Sequence, residues 1–181
     1  MPASTRYVAL LRGINLGARN KLAMGDLRAL VESLGGTDVE TYVQSGNVAF
    51  GSTASAGRLE TALAEKLRTV HTLEVPVLVR SSAELDELAK RNPFLRTGAD
   101  ATSLHVTFLA GKPKRALVEA LDPVTSAPDE LRVVGREVYL LCPNGYGRSK
   151  LSNAFFEKRL GEVATTRNWR TVLALAELAG R

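Results

Sequence analysis

The sequence predicts an α+β fold made of two ferredoxin-like (β-α-β-β-α-β) subdomains, each followed by an extra helix. Strand-like and helix-like patterns follow one another in that order in both halves of the chain. The order recurs after roughly 90 residues, which indicates an internal duplication. Residues 96–102 separate the halves, because they are poor in apolar side chains and rich in turn formers. We expect a first subdomain at residues 1–94 and a second at residues 95–181, which together can form one compact domain.

The first half opens with a strand, a helix and a hairpin. Tyr7–Leu11 is a short apolar run typical of a buried strand. A helix is expected from about Met24 to Leu34, where apolar residues recur every three or four positions and two glycines follow. Val39–Val43 and Asn47–Phe50 are β-rich stretches separated by Gln44–Gly46, which predicts a hairpin.

The first half closes with a helix, a strand and a further helix. Leucines at helical spacing between Leu59 and Val70 predict the first of these. Val75–Val79 is the strand, and its Pro76 favours an edge position or the strand's start. Ser81 and Glu84 form a capping-box pair, which predicts that the last helix begins there.

The second half repeats the order. Its predicted elements are a strand at Leu104–Leu109, a helix at Pro113–Leu121, a hairpin of Leu131–Val134 with Val138–Cys142, a helix capped by Ser149, a strand at Ala164–Asn168 and a closing helix at Arg170–Leu178.

The composition is typical of a soluble globular protein. Of the 181 residues, 45% are hydrophobic, which is enough to bury a full core. No apolar run approaches the roughly 18 to 20 residues that span a bilayer, and the chain leads straight into a strand pattern without a signal peptide. The single cysteine, Cys142, cannot form an internal disulfide. We therefore expect a cytoplasmic protein with no membrane partner.

The distribution of charge is more informative than the net charge of +5. Residues 146–170 contain six Lys or Arg against two acids, and residues 12–21 contain three bases and no acid. The basic excess therefore lies in these two windows.

Polar runs follow several predicted strands, at residues 12–21, 44–47, 143–150 and 167–169. Gly, Arg, Lys and amide side chains in such connections are typical of loops that bind a polar or anionic ligand. In a β-α-β-β-α-β unit the first two runs lie at one end of the sheet, and so do the last two. The candidate ligand-binding residues are Arg12, Asn15, Lys21, Gln44, Ser45, Asn47, Tyr146, Arg148, Ser149, Lys150, Asn153, Arg167, Asn168 and Trp169.

Residues 145–150 have the composition of an oxyanion site. They are expected just before a helix, where unpaired N–H groups and the helix dipole favour a negative ligand, and Arg148 and Lys150 add full charges. The spacing differs from that of a nucleotide P-loop. The alternative is that Gly145 and Gly147 only turn the chain and Ser149 only caps the helix. Similarly, Trp169 could stack on a ligand or serve as a packing anchor.

Patterns of catalytic and metal-binding residues are missing from the sequence. Two histidines and one cysteine offer no metal-ligand spacing, so no metal site is predicted. His105 is expected to be a partly buried strand residue, and Cys142 a core thiol. The acids, Asp129 among them, are dispersed over predicted helix faces and turns, as solvated acids usually are. The sequence therefore names no catalytic residue and no cofactor, and it leaves the oligomeric state open.

Four segments together resemble a known family. Leu10–Gly17, Thr41–Asn47, Tyr146–Lys150 and Ala164–Trp169 are similar to the signature segments of the bacterial domain-of-unknown-function family 1697, over about residues 6–178. The resemblance implies a compact α+β protein of two ferredoxin-like subdomains. It implies no activity.

The main functional hypothesis is that the protein binds a phosphorylated or otherwise anionic small molecule, for which a nucleotide is one candidate. A nucleic-acid-binding module that uses the same loops is the second hypothesis. A transferase or hydrolase for phosphorylated substrates is the third, and it needs a general base that the sequence does not identify. A scaffold protein is the fourth.

Overall fold

The computed structural model describes residues 3–121 and 126–181. This part of the chain is an α+β protein with two four-stranded antiparallel sheets, each packed with helices. It divides into two compact units. The first comprises the described residues of Met1–Glu87 together with Leu173–Arg181, and the second those of Leu88–Val172.

The first unit has the strand order β2-β3-β1-β4. Its elements are β1 (Thr5–Leu11), α1 (Met24–Ser33), β2 (Thr37–Thr41), β3 (Asn47–Ser52), α2 (Ala56–His71) and β4 (Val77–Ser81), and α3 (Ser82–Lys90) runs from this unit into the second.

Apolar side chains of the sheet and of α1 and α2 form the core of the first unit. Leu27 and Leu30 of α1 and Leu63 and Leu67 of α2 are buried in one cluster with residues of β1 and β3. Pro76 lies directly before β4, and β4 is an edge strand. Both positions agree with the prediction, because proline has no backbone N–H to donate within a sheet.

The predicted capping box at the start of α3 is confirmed. The backbone N–H of Ser81 donates to Glu84 Oε2 at 2.8 Å, and the backbone N–H of Glu84 donates to Ser81 Oγ at 3.3 Å. These reciprocal bonds satisfy N–H groups that the first turn of the helix leaves unpaired.

The second unit has the order β6-β7-β5-β8, which is the order of the first sheet repeated. Its elements are β5 (Leu104–Leu109), α4 (Arg115–Glu119), β6 (Glu130–Val134), β7 (Glu137–Leu141), α5 (Asn153–Leu160) and β8 (Ala164–Asn168), and α6 (Trp169–Ala179) runs from this unit into the first.

The prediction that Ser149 caps the helix after the β6–β7 hairpin is wrong. Helix α5 begins at Asn153, and its N-cap is Ser152, whose side chain accepts a hydrogen bond from the Phe155 N–H at 3.2 Å. Ser149 Oγ accepts from the Leu151 N–H at 3.0 Å instead, which closes a local turn. The apolar Leu151 fits the helical spacing and so placed the predicted start of the helix too early. It is fully buried, but it lies outside the helix.

No helix in the described ranges is both long enough and apolar enough to cross a membrane.

Candidate functional site

Two loops of the first unit, residues 12–21 and 42–46, lie side by side; we call them the first loop pair. Asn15 Nδ2 donates to the Gln44 carbonyl at 2.8 Å, and the Leu11 N–H donates to the Gly46 carbonyl at 2.8 Å. The prediction that these two polar runs are neighbours is therefore confirmed.

Several predicted ligand-binding residues of the first loop pair hold the loops themselves. Asn15 is half-buried, and besides Gln44 it bonds both the carbonyl and the N–H of Leu22, at 2.8 and 2.9 Å. Asn47 is fully buried, and its Nδ2 donates to Tyr42 O at 3.2 Å and to Ser45 Oγ at 2.8 Å. Asn15, Ser45 and Asn47 therefore hold the conformation of the two loops.

The surface of the first loop pair combines exposed bases with exposed apolar side chains. Arg19, Lys21 and Gln44 are exposed, whereas Arg12 is half-buried. Leu16 is 69% exposed and Val43 is 54% exposed. The structure thus leaves fewer of the predicted residues free to meet a ligand than the sequence suggested.

The loop of residues 143–150 lies next to β8, as predicted. The Tyr146 ring stacks on His105 of β5 with 4.9 Å between the ring centroids and an angle of 24° between the planes. A hydrogen bond joins the side chains of Tyr146 and Thr166. The loop thus contacts Thr166, one residue before the predicted segment, and His105 pairs with Asn168 of that segment.

Thr166 belongs to a short chain of polar contacts beneath this loop. Its Oγ1 donates to Asn153 Oδ1 at 2.7 Å and lies 2.7 Å from Thr107 Oγ1. Burial lowers the pKa of His105 and raises the pKa of Tyr146, so both rings are neutral at pH 7. Asn153 and Tyr146, both predicted as ligand-binding, thus hold α5 and the loop on the sheet.

The three predicted residues at the end of β8 have other surroundings than Thr166. Successive strand residues point to opposite faces, so Arg167 lies on the face opposite that of Thr166. Asn168 Oδ1 accepts from the Thr171 N–H at 2.8 Å at the start of α6. Trp169 is only 3% exposed, which fits the packing anchor that the sequence left open.

Arg167 is held by its own strand. Its Nη1 donates to Thr165 Oγ1 at 2.8 Å and to Thr166 O at 3.1 Å. Burial lowers the pKa of the guanidinium to about 10, which still leaves it charged at neutral pH.

Arg148 and Lys150 line a pocket of about 200 Å³ in the second unit, which we call the basic pocket. Both side chains are exposed, and within residues 3–121 and 126–181 neither takes part in an ion pair or a side-chain hydrogen bond. The described lining residues are Ser126, Ala127, Pro128, Asp129, Asn144, Gly145, Arg148 and Lys150.

Asp129 is the acid of the basic pocket, and the sequence reasoning missed it. Its side chain is half-buried and has no hydrogen bond or ion pair with any residue that the structure describes. The hairpin register explains its place, because Glu130 pairs with Leu141, which brings residue 129 beside Cys142 and the loop that follows. A register for the predicted hairpin of Leu131–Val134 with Val138–Cys142 would have indicated this position of residue 129.

Cys142 is a buried thiol near the basic pocket. Burial raises its pKa to about 11, a hydrogen bond from Ser149 opposes that rise, and the negative charge of Asp129 adds to it. The thiol is therefore protonated at neutral pH and is a poor nucleophile.

A larger pocket in the first unit is a weaker candidate. It has a volume of about 470 Å³ and is lined by Thr61, Ala64, Glu65, Arg68, Glu74, Val75 and Pro76. Its arginine is already paired, with 2.6 Å between Arg68 Nη2 and Glu65 Oε1. The unpaired bases of the basic pocket make it the better candidate for a ligand.

Among the residues that the structure describes, no group of three or more His, Cys, Asp or Glu side chains could hold a metal ion.

Comparisons with known proteins give a family and a fold. A family model described as "Protein of unknown function (DUF1697)" matches residues 4–139, well over half of the chain. The conserved bacterial protein SP0830 from Streptococcus pneumoniae has a similar structure, with a TM-score of 0.69 at 22% sequence identity over 98% of this chain and 99% of that chain. No curated protein matches. The family model covers Ser126–Asp129 of the basic pocket and ends before its other described lining residues, which include Arg148 and Lys150.

Proposed function

The chain belongs to the DUF1697 family, whose description gives no activity, and we propose from the site itself that the protein binds a phosphorylated or otherwise anionic small molecule. The observation that carries this proposal is the pair of unengaged cations, Arg148 and Lys150, in one pocket. Arginine and lysine make short, charge-assisted hydrogen bonds to phosphate and carboxylate oxygens.

Side-chain charge, and not a helix terminus, supports anion binding here. Helix α5 begins only at Asn153, and Ser152 caps it. The positive end of the helix dipole therefore lies after the loop that bears Arg148 and Lys150, and not at that loop as the sequence predicted. Gly145, which also lines the pocket, has φ +87, a conformation that side-chain-bearing residues rarely adopt.

A thermal-shift series with inorganic phosphate, sugar phosphates and nucleotides tests the proposal. A ligand at about 100 times its dissociation constant should stabilise the fold by roughly 2.7 kcal/mol. The double variant Arg148→Ala with Lys150→Ala should lose that stabilisation. The matched control is Lys158→Ala with Arg170→Ala, which removes the same charge from two exposed positions outside the pocket. If no anion stabilises the wild-type protein, the proposal is wrong.

Nucleic-acid binding is the second candidate function, and the first loop pair favours it. Residues 12–21 carry three bases and no acid, and Arg19 and Lys21 are exposed. Affinity for long RNA or DNA should fall steeply with salt, and Arg19→Ala with Lys21→Ala should reduce the slope by about one per lost phosphate contact. Absent binding at low salt, or binding that salt does not change, would exclude this candidate.

We further propose that the chain consists of two ferredoxin-like subdomains related by duplication, residues 1–94 and 95–181, which correspond closely but not fully to the two compact units. The repeated strand order, β2-β3-β1-β4 and β6-β7-β5-β8, supports this relation. So does the position of each first strand, β1 or β5, between the two strands that it pairs with.

A further inference from the structure

We infer that the basic pocket takes a small phosphate ester whose other end carries hydroxyl groups, such as a polyol or sugar phosphate, and that Asp129 recognises those hydroxyls. This inference rests on the anion binding proposed above. It narrows the ligand from any anion to one chemical class, and it adds a residue that determines specificity.

The size and lining of the pocket argue against a nucleotide. Its volume of about 200 Å³ is below the range of roughly 300 to 1,000 Å³ that is common for drug-sized ligands. Nucleobases are usually held by stacking on an aromatic ring or a guanidinium plane. No aromatic side chain occurs among the described residues of the lining. The pocket therefore suits a compact ligand without a base.

The Asp129 carboxylate gives the pocket a second kind of contact. An ionised carboxylate only accepts hydrogen bonds, so Asp129 suits ligand hydroxyl or N–H donors and does not suit phosphate oxygens. Ser126 Oγ donates to the Asp129 backbone carbonyl at 3.2 Å, but no described residue donates to the carboxylate, and no ion pair joins it to Arg148 or Lys150. A ligand that brings donor groups would therefore find an acceptor in the pocket that no described residue occupies.

Asp129 also sets which anions bind well. Its negative charge repels a bare phosphate ion, so it lowers the affinity for inorganic phosphate. A phosphate ester with hydroxyls on the adjoining carbons can place its phosphate at Arg148 and Lys150 and its hydroxyls at Asp129. The amide of Asn144 lines the same pocket and offers a further donor and acceptor. Asp129 therefore strengthens the binding of a hydroxyl-bearing ester and weakens the binding of inorganic phosphate.

The test compares probes that differ in one group. Binding of glycerol 3-phosphate, ribose 5-phosphate, methyl phosphate, inorganic phosphate, phosphoethanolamine and AMP to the full chain is measured by titration calorimetry at fixed pH and ionic strength. We expect a hydroxyl-bearing ester to bind about tenfold more tightly than methyl phosphate, which corresponds to one charge-assisted hydrogen bond. The isosteric variant Asp129→Asn should remove that preference while methyl phosphate binds at least as well as before.

The outcomes separate this inference from the proposed function. If no probe binds, both are wrong. If all phosphate probes bind equally and Asp129→Asn changes nothing, the inference is wrong and anion binding stands. Tighter binding of phosphoethanolamine would replace the hydroxyl by an amine as the partner of Asp129, and tighter binding of AMP than of ribose 5-phosphate would overturn the exclusion of nucleotides. Arg148→Ala is the positive control, since it should weaken every phosphate probe.

Discussion

Gly46 is the residue on which the shape of the first loop pair depends most. Its φ is +77, and a Cβ at this position would lie 2.8 Å from Leu11 Cβ and 3.2 Å from Ile14 Cβ. Both neighbours are fully or almost fully buried, so neither can move aside without disturbing the core. Conformation and space therefore both require glycine here.

Gly46→Ala should destabilise the protein by more than Gly17→Ala, which is its matched control. Gly17 also has a positive φ, +59, but a Cβ there would have nothing within 4 Å. We expect a loss of about 1 kcal/mol at Gly17 from backbone strain, and about 1 to 3 kcal/mol more at Gly46 from overpacking. Urea unfolding measures both. Equal losses would mean that Leu11 and Ile14 relax freely.

The backbone conformation and exposure of Val43 are features that the sequence did not predict. Its φ of 49 is unusual for a β-branched residue, and its side chain is 54% exposed. The sequence predicted that the strand continues to Val43, because β-branched residues favour strands, whereas β2 ends at Thr41. In the same way, nothing in the run Gln44–Asn47 indicates that Asn47 is fully buried while Gln44 is exposed. These differences depend on tertiary contacts and not on residue type.

At the scale of elements, the chain follows its local patterns closely. The predicted strands Leu104–Leu109 and Ala164–Asn168 have the observed bounds, because apolar or β-branched runs between turn residues leave little choice of start and end. Topology also predicted correctly that the polar loops pair at the ends of the sheets. Asp129 was missed because the β6–β7 hairpin was predicted without its register, and the pairing of Glu130 with Leu141 is what brings residue 129 beside Cys142.

The N-cap of α5 gives a prediction at this scale. Ser152→Ala removes the side-chain oxygen that accepts from the Phe155 N–H, so it should lower the free energy of unfolding by about 1 kcal/mol. Ser55→Ala is the control, because Ser55 holds the N-cap position of α2 without a side-chain capping bond. Chemical denaturation of both variants should show a clearly smaller loss for Ser55→Ala. A larger loss at Ser55 would contradict the capping assignment.

At the scale of the whole molecule, both sheets use one strand order but the two units differ in what their loops do. In the first loop pair, amide side chains form hydrogen bonds to the backbone, such as those of Asn15 with Gln44 and Leu22. The loop after β7 ties itself to the sheet through Tyr146 and leaves Arg148 and Lys150 unengaged. The second unit is therefore where a small anion should bind, even though basic residues are enriched in both.

The pH dependence of folding follows from His105, which stacks on Tyr146 beneath that loop. Burial lowers the pKa of His105 from its ordinary 6.5, so the unfolded chain takes up a proton at a higher pH than the folded chain does. The contribution of the neutral ring to stability is fully present above pH 6.5 and is lost as pH falls from there toward the lowered pKa of the folded state. The free energy of unfolding of the wild-type protein should therefore decrease as the pH falls from 7.5 to 5.5.

His105→Phe keeps a ring against Tyr146 but cannot titrate, so it should flatten this part of the pH profile. The measurement is the free energy of unfolding from urea titrations at several pH values, taken as the difference between variant and wild type so that acids common to both cancel. His71→Phe is the control, since it removes the other of the two histidines and leaves His105 in place. If the slope disappears in His71→Phe and persists in His105→Phe, the proton taken up on unfolding does not belong to the ring beneath the loop.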